Sequence, residues 1–208
     1  LVNAVTTINK ARAFAYYNKA QTAAKLEDAE ALVTKAAQVY VFDGFYRVLV
    51  EYAISSNRTL VSVESSDQEA LKNAYLLKAQ AAVDAGLTAV KINPNNYQNY
   101  VSLGRAYELA IPFDKEAGFT NAKRSYEEAI KLYPENPYLY LMLARLETSA
   151  GTKEGVRTQL TEALKKKQNF ADALYLMSQL EASESKVEEA IAYAIEAIKS
   201  APNDPLTY

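Results

Sequence analysis

The sequence predicts an all-α protein, a solenoid of stacked antiparallel helix pairs, and three observations carry that reading. First, the stretches beginning at Tyr97, Pro137 and Ala171 repeat one another, the last two starting 34 residues apart. Second, counting each stretch from its first residue, places 4, 7, 8 and 11 hold Tyr100, Leu103, Gly104 and Tyr107, then Tyr140, Leu143, Ala144 and Glu147, then Leu174, Met177, Ser178 and Glu181. Those offsets are i, i+3, i+4 and i+7, one stripe of an α-helix. Third, small residues recur at places 20 and 27, and Pro94, Pro134 and Pro202 share place 32, where proline ends a helix.

Taken along the chain, the register divides it into successive units. Ala29, Val33 and Ala36 in EDAEALVTKAAQVY mark a degenerate unit over 10–43. The next, 44–96, opens with DGFYRVLVEYAIS and closes with a helix carrying Ala82 and Ala89, and is about 19 residues longer than a 34-residue unit. Its middle, SSNRTLVSVESSDQ, reads as either a polar connection or a continuation of both helices, and Leu60, Val61 and Val63 point to packing of part of it. The unit 97–136 closes with Ala122, Tyr126 and Ala129 and holds six extra residues, within IPFDKEAGFTN, before that helix. The bland expectation is a longer surface turn; the sharper one is a contact loop presenting Phe113 and Phe119. The unit 137–170 places Val156, Leu160 and Ala163 on its second helix, and the unit 171–204 places Ala190, Ala194 and Ala197 there. Residues 205–208 begin a further unit, so the expectation is one repeat domain over 1–208, taken from a longer chain.

Composition narrows the chemistry. Half of the residues are apolar, 23% are charged, and the net charge of −2 gives no strong field. Lys165, Lys166 and Lys167 are offset by nearby acids and no basic stripe with interleaved aromatics occurs, which disfavours nucleic acid as a partner. With no cysteine and no histidine, the sequence lacks the usual general base, the usual nucleophile pair and the nitrogen and sulfur ligands of zinc. The acid pairs Glu127–Glu128 and Glu188–Glu189 are adjacent and diverge on a helix. The chain therefore reads as a non-enzyme without cofactor, metal or catalytic residues. Its most apolar run, VYVFDGFYRVLVEYAI, is interrupted by Asp43, Arg47 and Glu51, so no membrane span is expected. Asn57-Arg58-Thr59 fits a glycosylation sequon, a triplet that also arises by chance.

These repeats resemble the tetratricopeptide repeat family, strongly over 97–204 and in degenerate or expanded form before that. The resemblance implies a right-handed superhelix whose first helices line a concave groove through places 2, 5, 9 and 12 or 13. Carried onto this sequence, the groove residues are Phe45, Val48 and Tyr52; Gln98, Val101 and Arg105, with Glu108; Tyr138, Leu141 and Arg145, with Thr148; and Asp172, Tyr175 and Gln179, with Ala182. The family's clamp for the carboxylate tail of heat-shock chaperones is absent, since its places hold Val101, Arg105, Met142, Asp172 and Leu176.

The expected function is a scaffold that binds a protein or peptide segment in that groove, with tyrosines supplying apolar faces and Arg105 and Arg145 available to fork onto carboxylates. An alternative expectation is a structural or assembly tail of a larger, membrane-anchored bacterial envelope protein whose activity lies outside this chain. A further expectation is weak self-association through Ala190, Ile191, Ala194 and Ile198 of the last helix.

Overall fold

A computed structural model describes residues 2–62 and 67–201. Val63, Pro202 and the start of a further unit at 205–208 lie outside these described residues. The described residues form ten helices and no strand: α1 (Val2–Ala20), α2 (Leu26–Val39), α3 (Asp43–Ser62), α4 (Gln68–Ile92), α5 (Tyr97–Glu108), α6 (Lys115–Leu132), α7 (Pro137–Ala150), α8 (Lys153–Lys166), α9 (Ala171–Ser183) and α10 (Val187–Ser200). The chain divides into two compact units, Leu1–Ser125 and Tyr126–Tyr208.

In the first unit, α1 packs on α2, α2 on α3, α3 on α4, and α5 on both α3 and α4. Its core has two parts. Ala13, Ala20, Val33, Ala36 and Phe45 pack α1, α2 and α3 together; Val50, Ala53, Ile54, Ala82 and Ala106 pack α3, α4 and α5. Alanine dominates because a small side chain lets two helix backbones approach closely. The approach is close at Gly86, where an added Cβ would sit 3.0 Å from the Leu103 Cα. The length of the 44–96 segment resides in its helices: α3 has 20 residues and α4 has 25, against 12 in α5. Residues 55–62 continue α3, and Asp67 caps α4 by accepting from the Ala70 amide at 2.9 Å.

The insertion after α5 is only partly a longer turn. Residues 109–114 form the turn, Asp114 accepts from the Ala117 amide at 2.9 Å, and the remainder of the insertion is helical from Lys115 onward. Gly118 permits this, since a Cβ there would lie 2.8 Å from the Ile111 amide nitrogen.

In the second unit, α7 packs on α8, α8 on α9 and α9 on α10. Asn136 caps α7 by accepting from the Tyr138 amide at 3.1 Å, and Pro137 occupies its first turn. Gly151 ends α7 in the left-handed conformation, φ 80°, which a Cβ would disfavour. The core is Leu141, Ala144, Val156, Leu160, Ala163, Phe170, Ala173 and Met177.

Candidate functional site

The first unit carries a groove of about 400 Å³ between α1, α3 and α5. Its aromatic wall is a ring cluster: Phe14 lies 5.3 Å from Phe45 and 5.7 Å from Phe42, and Tyr17 lies 5.7 Å from Phe45, centroid to centroid. The opposite wall is Gln98, Val101 and Ser102 of α5, with Arg47, Val48 and Glu51 of α3 between them. These spacings are helical: 44, 47, 48 and 51 share one face of α3, and 98, 101 and 102 share one face of α5.

A buried polar network fixes the two helices at this groove. Asp43 Oδ2 accepts from Arg47 Nη1 at 2.8 Å, Asn96 Nδ2 at 2.8 Å and Asn99 Nδ2 at 3.0 Å. Asn99 also accepts from Arg47 Nη1 at 2.6 Å and donates to the carbonyls of Ala89 and Asn93, at the C-terminal end of α4, at 2.9 and 2.8 Å. Burial alone would push the Asp43 carboxyl up, but the amides of Asn96 and Asn99 and the charge of Arg47 outweigh it and hold it below the ordinary aspartate value. The motif reading missed this network. Its signal was present, because Asn99 occupies the place that Leu139 and Ala173 fill in the next two repeats, and all three are buried.

The residues expected to line a groove meet different fates. In the first unit Val48, Gln98 and Val101 line the groove together. Tyr52 stands beside Tyr17, and burial together with that neighbour pushes its phenol up. Arg105 is not free: it is ion-paired with Glu51 of the groove wall. In the second unit Arg145 is paired with Asp172 at 3.3 Å, Tyr138 stands edge-on to Phe170 at 4.6 Å and is 53% exposed, and Tyr175 is 42% exposed. Gln179 lines a small cleft of about 200 Å³ with Thr148, Lys153 and Leu176.

Phe45 lines the groove from its base, 1% exposed, whereas Leu141, also 1% exposed, faces a core instead. Phe45 is gripped by the rings of α1, and Leu141 is packed against Val156, Leu160 and Ala173, because α3 and α7 have neighbours on more than one side and bury a wider stripe than a single seam requires.

The acids at place 11 are structural. Glu147 is buried and accepts from the Thr152 hydroxyl, while Glu181 is buried and ion-paired with Arg157. Of the two loop phenylalanines, Phe113 packs on Tyr75 of α4 at 5.2 Å, and Lys123 lies 5.8 Å over the Phe119 ring. Asn57 is 1% exposed within α3, so its sequon is closed to an oligosaccharide in the folded chain. Among the described residues, no group of side chains is arranged to hold a metal ion and no helix is long and apolar enough to cross a membrane.

Comparison with known proteins agrees with this architecture. The tetratricopeptide repeat model matches residues 118–180. No curated protein matches the chain by sequence. Among solved structures, the chain is similar to TTC0263, a thermophilic tetratricopeptide repeat protein of Thermus thermophilus, with 17% identity, a TM-score of 0.65, and 97% of this chain and 94% of that one covered. It is similar to the MamA protein, with 16% identity, a TM-score of 0.60 and coverage of 94% and 91%. It is also similar to YrrB, described as a tetratricopeptide repeat protein with an unusual peptide-binding site, with 18% identity, a TM-score of 0.54 and coverage of 99% and 94%.

Proposed function

This chain carries tetratricopeptide repeats and has the fold of that family throughout its described length, and from that premise we propose that it is a non-catalytic scaffold whose first unit holds an extended segment of a partner protein. The observation that supports this most is the groove of about 400 Å³, with a rigid aromatic wall on one side and the mixed edge of α5 on the other. Its floor is preorganised: the Asp43 network locks α3 to α5, so binding loses little freedom on the scaffold side. An apolar side chain of the partner fits against Phe14, Phe42 and Val48, while Gln98 offers an amide for the partner's main chain. Because Arg105 is already held by Glu51, the lip of this groove presents a neutralised ion pair, which favours a mixed segment over a strongly acidic one. In the second unit, Tyr138, Tyr175, Arg145 and Asp172 offer a further surface for a partner. The likeness to YrrB supports peptide binding only as something this fold accommodates.

The test is to select peptides against the intact chain from a random displayed library and measure their affinity for Val101→Arg, which fills the groove from α5. Weakening by at least about tenfold with an unchanged unfolding midpoint is expected. Failure to enrich any peptide, or equal affinity for Val101→Arg, would sink the reading.

A further inference from the structure

One turn beyond the groove, the same faces of α3 and α5 frame a second pocket of about 380 Å³. It is bounded by Ile54, Arg58 and Val61 of α3, Tyr75 of α4, Arg105 and Glu108 of α5, and Leu109 just after α5. The lengthened helices create it: Val61 lies in the extension of α3 and Tyr75 in the early turns of α4, where the inserted turn adds Phe113 against the Tyr75 ring at 5.2 Å. The two cavities are separated by one ion pair, since Glu51 lines the first and its partner Arg105 lines the second.

Beneath the wall of this pocket lies an unsatisfied group. Asn57 is 1% exposed, and neither its Oδ1 nor its Nδ2 has a hydrogen-bond partner. A buried amide without partners is costly and rare in a native chain, and leucine or methionine would fill the same volume without that cost. Its next neighbour, Arg58, is exposed and has no ion-pair partner among the described residues, whereas Arg105 is committed to Glu51.

We propose that this pocket receives the carboxamide of a glutamine or asparagine side chain on the partner segment, followed by an acidic residue that meets Arg58. Both amide atoms of Asn57 are closed to solvent in this conformation, so the side chain turns into the pocket as the partner arrives: Asn57 Nδ2 donates to the incoming carbonyl and Asn57 Oδ1 accepts from the incoming amide, the pairing that one carboxamide makes with another. Ile54, Val61 and Leu109 enclose the methylenes behind it. A segment lying along α3 and α5 thus seats an apolar residue in the groove, crosses the Glu51–Arg105 pair, and seats a carboxamide beyond it. This rests on the peptide-binding reading above.

The experiment titrates the 15N-labelled intact chain with acetyl-Gln-Asp-amide and with acetyl-Met-Asp-amide, which is similar in shape but lacks the carboxamide. The expected result is a shift of the Asn57 side-chain amide with the glutamine probe and binding of the methionine probe weaker by about tenfold or more, because a site built for hydrogen bonding rejects an analogue that lacks it. Asn57→Leu, checked for an unfolding midpoint no lower than the parent's, is expected to lose the preference for glutamine. Equal responses to both probes, no response at Asn57, or an unaltered preference in Asn57→Leu would overturn the proposal. Val101→Arg separates the two readings: it is expected to abolish binding of library peptides seated in the groove and to leave the glutamine probe in place. Loss of the probe preference with groove binding intact refutes the pocket alone, and the reverse refutes the groove alone.

Discussion

Asn99 of α5 donates to Asp43 of α3 at 3.0 Å and, through the same nitrogen, to two carbonyls at the end of α4, so one fully buried amide ties three helices together. Replacing it with alanine leaves a buried carboxylate short of a donor and leaves the two carbonyls with their backbone donors alone, the amides of Asn93 and Asn96. Asn99→Ala is therefore expected to cost about 2–3 kcal/mol in chemical denaturation at neutral pH.

The same carboxylate makes the first unit acid-sensitive in a defined direction. The Asp43 pKa is depressed in the folded chain, so its contribution is complete above the unfolded aspartate value of about 3.9 and is lost as pH falls through the lower folded value. Asp43→Asn is expected to be less stable than the parent at pH 7 and to show a smaller loss of stability between pH 4 and lower pH. Urea midpoints measured across that range check this; parallel losses in parent and variant would contradict it.

Much of the fold was legible in the sequence because helix packing leaves a periodic signature. Ala82 and Ala89, Ala122 and Ala129, and Val156 and Ala163 recur at one register and are buried as that register requires. The site was less legible. Periodicity assigns a residue to a face, but it does not say how many neighbours cover that face, so Leu141, expected in a groove, lies in a core. Nor does it show that Arg105 and Arg145 have acids from a neighbouring helix within reach, since Glu51 and Asp172 are 54 and 27 residues away in sequence. The aromatic wall from Phe14, Tyr17 and Phe42 was missed because α1 lies outside the clear repeats, and its residues meet α3 only through the fold.

In the second unit, Arg157 of α8 reaches the buried carboxylate of Glu181 and also pairs with Glu184 at 2.8 Å, joining α8 to the end of α9. The hydrogen bond from Arg157, working against burial and aided by its charge, holds the Glu181 carboxyl below its ordinary value. Arg157→Ala leaves that acid with Lys186 alone, at 3.4 Å, and is expected to lower stability by about 1–2 kcal/mol. Arg157→Ala combined with Glu181→Gln is expected to lose less than the sum of the single variants in a double-mutant cycle.

Gly118 tests the inserted segment. Its missing Cβ would meet the Ile111 backbone at 2.8 Å to nitrogen and 3.0 Å to Cα, atoms that cannot move aside as a side-chain tip can. Gly118→Ala is expected to destabilise by about 1–2 kcal/mol, the clash exceeding the gain in helix propensity. A thermal midpoint at or above the parent's would show that the turn has room to yield.

The central claim is that a partner segment lies along α3 and α5 of the first unit, and its footprint tests that most directly. Chemical-shift mapping of a library-selected peptide on the intact labelled chain is expected to place the strongest perturbations at Val48, Glu51, Gln98, Val101 and Arg105. Perturbations confined to helices of the second unit, with those five residues unmoved, would contradict the account.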